Sequence, residues 1–428
     1  MVGRGGVCLA RGGPPADGLQ EQAGGTALGE PMGAPTYQLA HASGRPHASE
    51  PSFGSRQGLG KTDRDESDPV TKFALPVLFR PSVEFIGAEE NDAILELETL
   101  FLSMAHRVAQ QEGVAHRAVH AKGHALVRGT FQVHGDLPPE LAHGLFAKAR
   151  CFEALVRFSS PPAEQLPDTV STPRALALKV LHVEGERAAG SLPGHSQDFL
   201  MVNGPAFTAP TPAGFVGPAK LLAATTEKMP RTKTVISATL RGAEAALEAV
   251  GLQSGKLKGL GGEPQRHPLG ETYFTQVPFL YGPYMAKFSL APLSPALQAL
   301  AGTAIPNEGD AQRQAIQSAL ASEEALWAFN VQLCRDLERM PIEDASIAWP
   351  EEVSPWITVA TLALPPQRSW SGLSEQTEKS LAFSPWNALA AHRPLGAVNR
   401  ARKRVMAVSR QFRSNFNRCP ITEPDGSN

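Results

Sequence analysis

Six short runs constrain this chain more than anything else in it. "ALVRGTFQV" (125–133), "FEALVRFSS" (152–160), "RALALKVLHV" (174–183), "DFLMVN" (198–203), "YMAKFSLAP" (284–292) and "WITVATLAL" (356–364) alternate apolar with polar residues, or carry β-branched and aromatic ones. Each therefore reads as a strand. Helical spacing interrupts them at 91–113, with Asn91 as its cap, and again at about 239–251, 311–338 and 388–415. Short strands with long helical insertions after the fourth predict an α+β fold, a β-barrel with helices packed around it or at its end. No internal repeat is present.

Length and composition narrow the class. The 428 residues suit two or three average domains, or one large β-rich domain with extensions. Residues 1–68 are rich in Gly, Pro, Ala and Ser without sustained periodicity and are expected to be a disordered extension. A single domain is expected over 69–416, with a disordered tail over 417–428. At 42% apolar and 19% charged residues the chain can build a sizeable core. A formal charge of −2 draws it toward neither nucleic acid nor anionic membrane. No apolar run could span a bilayer, and "MVGRGGVCLARGGPPADG" lacks the apolar stretch of a secretory signal, so a cytoplasmic protein is expected. Cys8, Cys151, Cys334 and Cys419 lie far apart without zinc-binding spacing and read as free thiols.

The stretch "RAVHAKGHALVRGTF" (117–131) places a basic cluster directly before the first strand. Histidine can accept and return a proton near neutral pH, which makes His120 a candidate acid/base, although a lone histidine beside a strand is more often structural. Arg117 is permanently charged and suits a carboxylate. Arg157 and Ser159, two apart on the second strand, face the same side. Asp168, Thr169, Pro173 and Arg174 follow in a turn-rich segment, and the fourth strand ends at Asn203-Gly204-Pro205. His116 and His124 default to exposed loop positions. The basic run "NRARKRVMAVSRQFR" (399–413) carries a partial apolar stripe of Val405, Val408 and Phe412 and reads as a solvated helix face rather than a nucleic-acid site.

In order and spacing, "RAVHAKG", "VRFS…DTV…PRALALK" and "DFLMVNGPAF" resemble the catalase superfamily. "YFTQVPFLYGPYMAKFSLAP", "RMPIEDASIAWPE" and "FSPWNALAAHRPLGAVNRARKRV" are similar to its shorter catalase-like haem-binding branch, over roughly residues 70–415. The resemblance implies an antiparallel eight-stranded β-barrel of catalase type with surrounding helices, holding haem b. It implies that His120 takes a proton from bound peroxide and returns it to the leaving oxygen, with Ser159 orienting it. Arg117, Arg157 and Arg393 would pair with haem propionates, and Phe131 either lines the pocket or is an ordinary core residue.

The same resemblance exposes departures. Catalases place a catalytic asparagine first in Asn-Asn-x-Pro; counting back from Pro205, Val202 holds that place, while a one-residue shift would give it to Asn203. Val202 implies a less polar pocket, better suited to an organic hydroperoxide than to fast hydrogen peroxide disproportionation. Catalases bind iron through the tyrosinate of Arg-x-x-x-Tyr, shortly before His-Arg-Leu-Gly. Alignment on "FSPWNALAAHRPLG" puts Pro385 or Trp386 at that tyrosine, neither of them an iron ligand. Substitute ligands are His392, chemically the better, and Asn387; a water-ligated haem or none at all also fits. Two readings stand: a haem-dependent oxidoreductase acting on peroxide or hydroperoxide, and a non-enzymatic haem-binding or degenerate scaffold of the same fold. Assembly into a homo-oligomer is open under both.

Overall fold

In the computed structural model, strands of alternating character close on themselves. The described residues are 73–170, 172–225, 264–421, 423 and 424, and they lie in one compact unit that begins at Val70. The extension expected over 1–68 and the helical pattern at 239–251 lie outside the described residues.

Eight strands form the barrel: β1 (Lys122–Val133), β2 (Arg150–Ser160), β3 (Ala175–Val180), β4 (Gln197–Val202), β5 (Tyr273–Phe274), β7 (Tyr284–Pro292), β8 (Ala325–Leu333) and β9 (Ile357–Leu364). All neighbours are antiparallel, and β5 joins β4 to β7 through the pairs Val202↔Phe274 and Phe274↔Ser289. A short β6 (Phe279–Tyr281) forms a hairpin with β7. Closure removes free sheet edges. The fold is thus α+β with a closed antiparallel eight-stranded barrel, as expected.

Around it lie α1 (Glu90–Glu112), α2 (Pro212–Thr225), α3 (Pro295–Ala299), α4 (Ala311–Ala319), α5 (Gly372–Ser380) and α6 (Ala397–Asn417). Helices α1, α2 and α6 share an apolar cluster of Leu97, Phe101, Met104, Val108, Ala219 and Phe412. No helix among the described residues is long and apolar enough to cross a membrane.

Two expected helices are corrected. The pattern at 311–338 is α4 followed by β8, because "ALWAFNVQL" is buried on both faces and so lacks the alternation that marks a strand. The pattern at 388–415 begins only at Ala397, after a 3-10 turn at Ala390–His392; Pro394 has no amide hydrogen to donate. Beyond α6 the chain returns: Glu423 bonds the buried Lys179, Ser196 (2.7 Å) and Asn387 (2.8 Å).

Strand parity divides the barrel into two environments. Ala125, Val127, Phe131 and Val133 of β1, Val156 and Phe158 of β2, Leu176 and Leu178 of β3, and Phe199 of β4 point inward, with Phe329 and Phe288 from β8 and β7. The rings meet at 4.8 Å (Phe199–Phe329) and 5.1 Å (Phe131–Phe329), edge to face. The opposite parity, Arg157, Ser159, Ala175, Ala177, Leu200 and Val202, faces outward beneath the helices.

Candidate functional site

That outward face of β2, β3 and β4 forms one wall of a pocket. Residues 117–120 before β1 form a second, α1 and α2 contribute Leu97, Phe101 and Phe215, and α6 closes it. Among the described residues, five arginines line the pocket (Arg117, Arg157, Arg402, Arg410 and Arg413), together with one histidine, His120, and no carboxylate.

His120 sits in the left-handed region at φ 56°, which a residue with a Cβ adopts only when its surroundings enforce it. Its carbonyl accepts a 2.8 Å hydrogen bond from Arg157 Nη2. The backbone is therefore clamped to the strand that carries Ser159. Both side chains line the pocket, yet the expected Ser159–His120 bond is not formed, and His120 Nδ1 is buried with no hydrogen-bond partner. Burial, reinforced by the charges of Arg157, Arg402 and Arg117, lowers the His120 pKa to about 3. The ring is neutral at neutral pH.

Arg117 and Arg157 converge on a residue that sequence reasoning missed. Glu378 Oε1, on α5, accepts from Arg117 Nη1 at 3.0 Å and from Arg157 Nε at 2.5 Å. Arg117 Nη2 also donates to the carbonyls of Glu378 (3.1 Å) and Leu381 (3.0 Å). Burial alone would raise the Glu378 carboxyl, but Arg157 and Arg117 outweigh it and hold it below its ordinary value. Gly123 permits the approach: a Cβ there would stand 2.8 Å from Glu378 Oε2. No sequence pattern marked Glu378, since it lies 221 positions from Arg157 in a polar helix.

The basic run on α6 is corrected from a solvated face to two working faces. Arg400 pairs outward with Glu90 (2.7 Å), Glu343 (2.9 Å) and Glu84 (3.1 Å), and Arg404 with Glu98 (2.7 Å). Arg402, Met406, Ser409, Arg410 and Arg413, at helical spacing, line the pocket. Burial lowers Arg402 and Arg413 to about 10, and Arg402 Nη1 is sealed from solvent without a hydrogen-bond partner. Arg402-Lys-Arg-Val-Met406 keeps the Arg-x-x-x spacing with methionine in fifth place. This spacing is legible in the sequence, but it stands after His392-Arg393 rather than before it.

Several expected site residues lie elsewhere. Phe131 points into the barrel core and is not part of the pocket lining. His392 is fully buried against Phe146 and Tyr281; its Nε2 accepts from the Leu145 amide at 2.9 Å and its Nδ1 lies 3.4 Å from the Leu280 carbonyl. Both ring nitrogens are thus engaged away from the pocket, which leaves none for iron. Arg393 pairs with Glu84 at 2.7 Å and stacks over Phe79, also outside the pocket. Asn387 donates to Asp198 (3.0 Å), and Trp386 Nε1 donates to the Asn399 carbonyl (2.8 Å). Val202 lines the pocket, whereas the Asn203 side chain accepts from the Arg174 amide at 2.8 Å. His124 is not an exposed loop residue: it is buried on β1 and lies 3.0 Å from Ser160 Oγ. His116 is partly covered and pairs with Glu112 at 2.8 Å.

No family model and no curated protein matches the chain. Solved structures do. A fungal catalase is similar at 18% identity and TM-score 0.50 over 75% of this chain and 64% of its own length. Catalase A from Saccharomyces cerevisiae is similar at 21% and 0.51, over 75% and 66%. A bacterial catalase is similar at 19% and 0.50, over 87% and 70%. The fold is that of the catalases. The chain spans less than two thirds of the length of the first two.

Proposed function

We propose that the outer pocket holds haem b and acts on a peroxide, either hydrogen peroxide or an organic hydroperoxide, with His120 moving the proton; the setting is taken to be cytoplasmic. The observation that carries this reading is the donor set. Among the described residues, five arginines and no carboxylate surround apolar walls, and the buried Nη1 of Arg402 and Nδ1 of His120 have no partners. Such a pocket is short of negative charge and fits a flat, apolar ligand with two carboxylates. Arg402 and Arg410 would hold those carboxylates, joined by the buried Nε of Arg413, whose Nη1 and Nη2 donate to the Lys379 and Leu381 carbonyls. Haem, when bound, supplies the redox-active iron that peroxide cleavage requires.

The rest is done by this chain. Neutral His120 can accept the hydroperoxide proton and return it to the departing oxygen. Burial is the main cause of the low His120 pKa, and the arginine charges that deepen it are those a dianionic ligand would neutralise, so loading would relieve that second part of the drop. Leu200, Val202, Phe207 and Phe215 offer the substrate an apolar wall without donors. A peroxide loses a polar contact there worth about 0.5–1.5 kcal/mol. An alkyl hydroperoxide recovers part of it by burying its chain at roughly 25 cal/mol per Å². The expected kcat/KM is therefore higher for an organic hydroperoxide with a reducing co-substrate than for hydrogen peroxide disproportionation, and Val202→Asn narrows the gap. Steady-state comparison of both substrates on both proteins is the test. Vigorous oxygen evolution with little peroxidase activity would contradict the substrate preference. A haem-loaded protein inert to both would favour the scaffold reading, which Met406 and Val202 support.

A further inference from the structure

Resting on the haem reading, we infer that Met406 supplies its thioether sulfur as the iron ligand of the outer pocket. Iron in a porphyrin takes an axial imidazole, thiolate, thioether or phenolate. Among the described residues, the pocket lining contains no cysteine and no tyrosine. The buried tyrosines are committed elsewhere: Tyr273 OH donates to the Pro268 carbonyl at 2.8 Å, and Tyr281 OH to the Leu141 carbonyl at 2.6 Å. Three ligand-capable side chains remain on the lining: His120, Met201 and Met406.

Position separates them. Met201 has the inward parity of β4 and is 1% exposed within the barrel core, so its sulfur is packed among apolar side chains rather than presented to the pocket. His120 is pinned in a left-handed conformation before β1, and as a proton carrier it needs its free nitrogen. Met406 lies on α6, on the wall that also carries Arg402, Arg410 and Arg413, one turn after Arg402 on the same helix face. It is the one of the three that is neither buried in the core nor needed for the proton. Its side chain is flexible and its sulfur soft, which suits iron.

The charge balance gives the consequence. A thioether is neutral, so it does not cancel the cationic charge of the neighbouring Arg402 and adds no electron density of the phenolate kind. The ferrous state is favoured relative to an anionic ligand, which raises the reduction potential.

The test is spectroscopic and uses the full chain loaded with haem, titrated first by its Soret band. The ferric protein should show the far-red sulfur-to-iron charge-transfer band. Met406→Leu should abolish it while Met201→Leu leaves it in place. Met406→Tyr should replace it with a phenolate-to-iron band and lower the reduction potential. Haem that binds without the sulfur band, or a band lost in Met201→Leu instead, overturns the assignment and leaves the haem reading standing. Failure of the unmodified protein to shift the Soret band overturns both.

Discussion

His120 and His392 are both buried histidines with depressed pKa values, yet one lines the arginine pocket and the other packs among Phe146, Tyr281 and Phe288. Burial is the leading cause in each. Around His392 burial lowers the pKa to about 4; hydrogen bonding to the backbone of Leu280 and His143 opposes part of the drop, and the charge of His143 adds to it, while the Leu145 amide occupies Nε2. Around His120 the neighbours are arginines, every one of which deepens the drop, to about 3, and Nδ1 has no partner. His392 has both ring nitrogens engaged. On the outer side the buried Nδ1 of His120 and Nη1 of Arg402 are left without partners. Perturbed histidine pKa values alone would have ranked the two equally; the bookkeeping of partners separates them.

The comparison can be broken at several points. The two largest expected effects are of equal size, and the first is inside. Phe329→Ala removes a ring shared by Phe131, Phe146, Phe199 and Phe288 and should cost about 3–5 kcal/mol in denaturant unfolding. On the outer side, Glu378→Ala strands Arg117 and Arg157 and should cost the ligand-free protein about 3–5 kcal/mol. Haem should restore part of that loss, because its carboxylates substitute for Glu378. Loss of equal size with and without haem would place these arginines in the scaffold alone.

A smaller effect belongs to chemistry rather than folding. His120→Ala should lower peroxide-dependent oxidation by about 10²-fold with haem content nearly unchanged; parallel loss of haem and activity would mark His120 as structural. The mildest effect is a pH slope. His392 is neutral in the folded protein, with its pKa lowered to about 4, and the unfolded chain takes up a proton below about 6.5. Its contribution is therefore complete above pH 6.5 and is lost as pH falls from there toward 4, at up to about 1.4 kcal/mol per unit. His392→Phe should flatten that part of the stability profile, as read by unfolding at a series of pH values.

How much of this was legible in the sequence follows from the kind of signal each feature leaves. The barrel strands were readable because inward and outward residues alternate along β1 to β4; β8 was not, since both of its faces are buried. Residues 117–120 and the Arg157–Ser159 pair were found because their spacing is local. Arg393 and His392 look like site residues by sequence adjacency, but the 3-10 turn at Ala390–His392 turns the histidine into the core and sends the arginine to Glu84. Arg402 and Met406 were masked by an expectation about which motif precedes which. Glu378 was invisible, because only the closed barrel and α5 bring it beside Arg157.

The central claim is that the arginine-lined outer pocket, and not the neighbourhood of His392 and Arg393, receives haem. The most direct measurement is an absorption titration of haem into the unmodified protein, Arg402→Gln and Arg393→Gln. A Soret shift saturating at one haem per chain is expected. Removing a charged donor from the pocket should weaken binding about 10-fold or more in Arg402→Gln, in line with the roughly 1.5–3 kcal/mol of a charge-assisted bond. Arg393→Gln should bind as the unmodified protein does. Absence of a Soret shift, or weakening by Arg393→Gln with Arg402→Gln unaffected, would contradict the account.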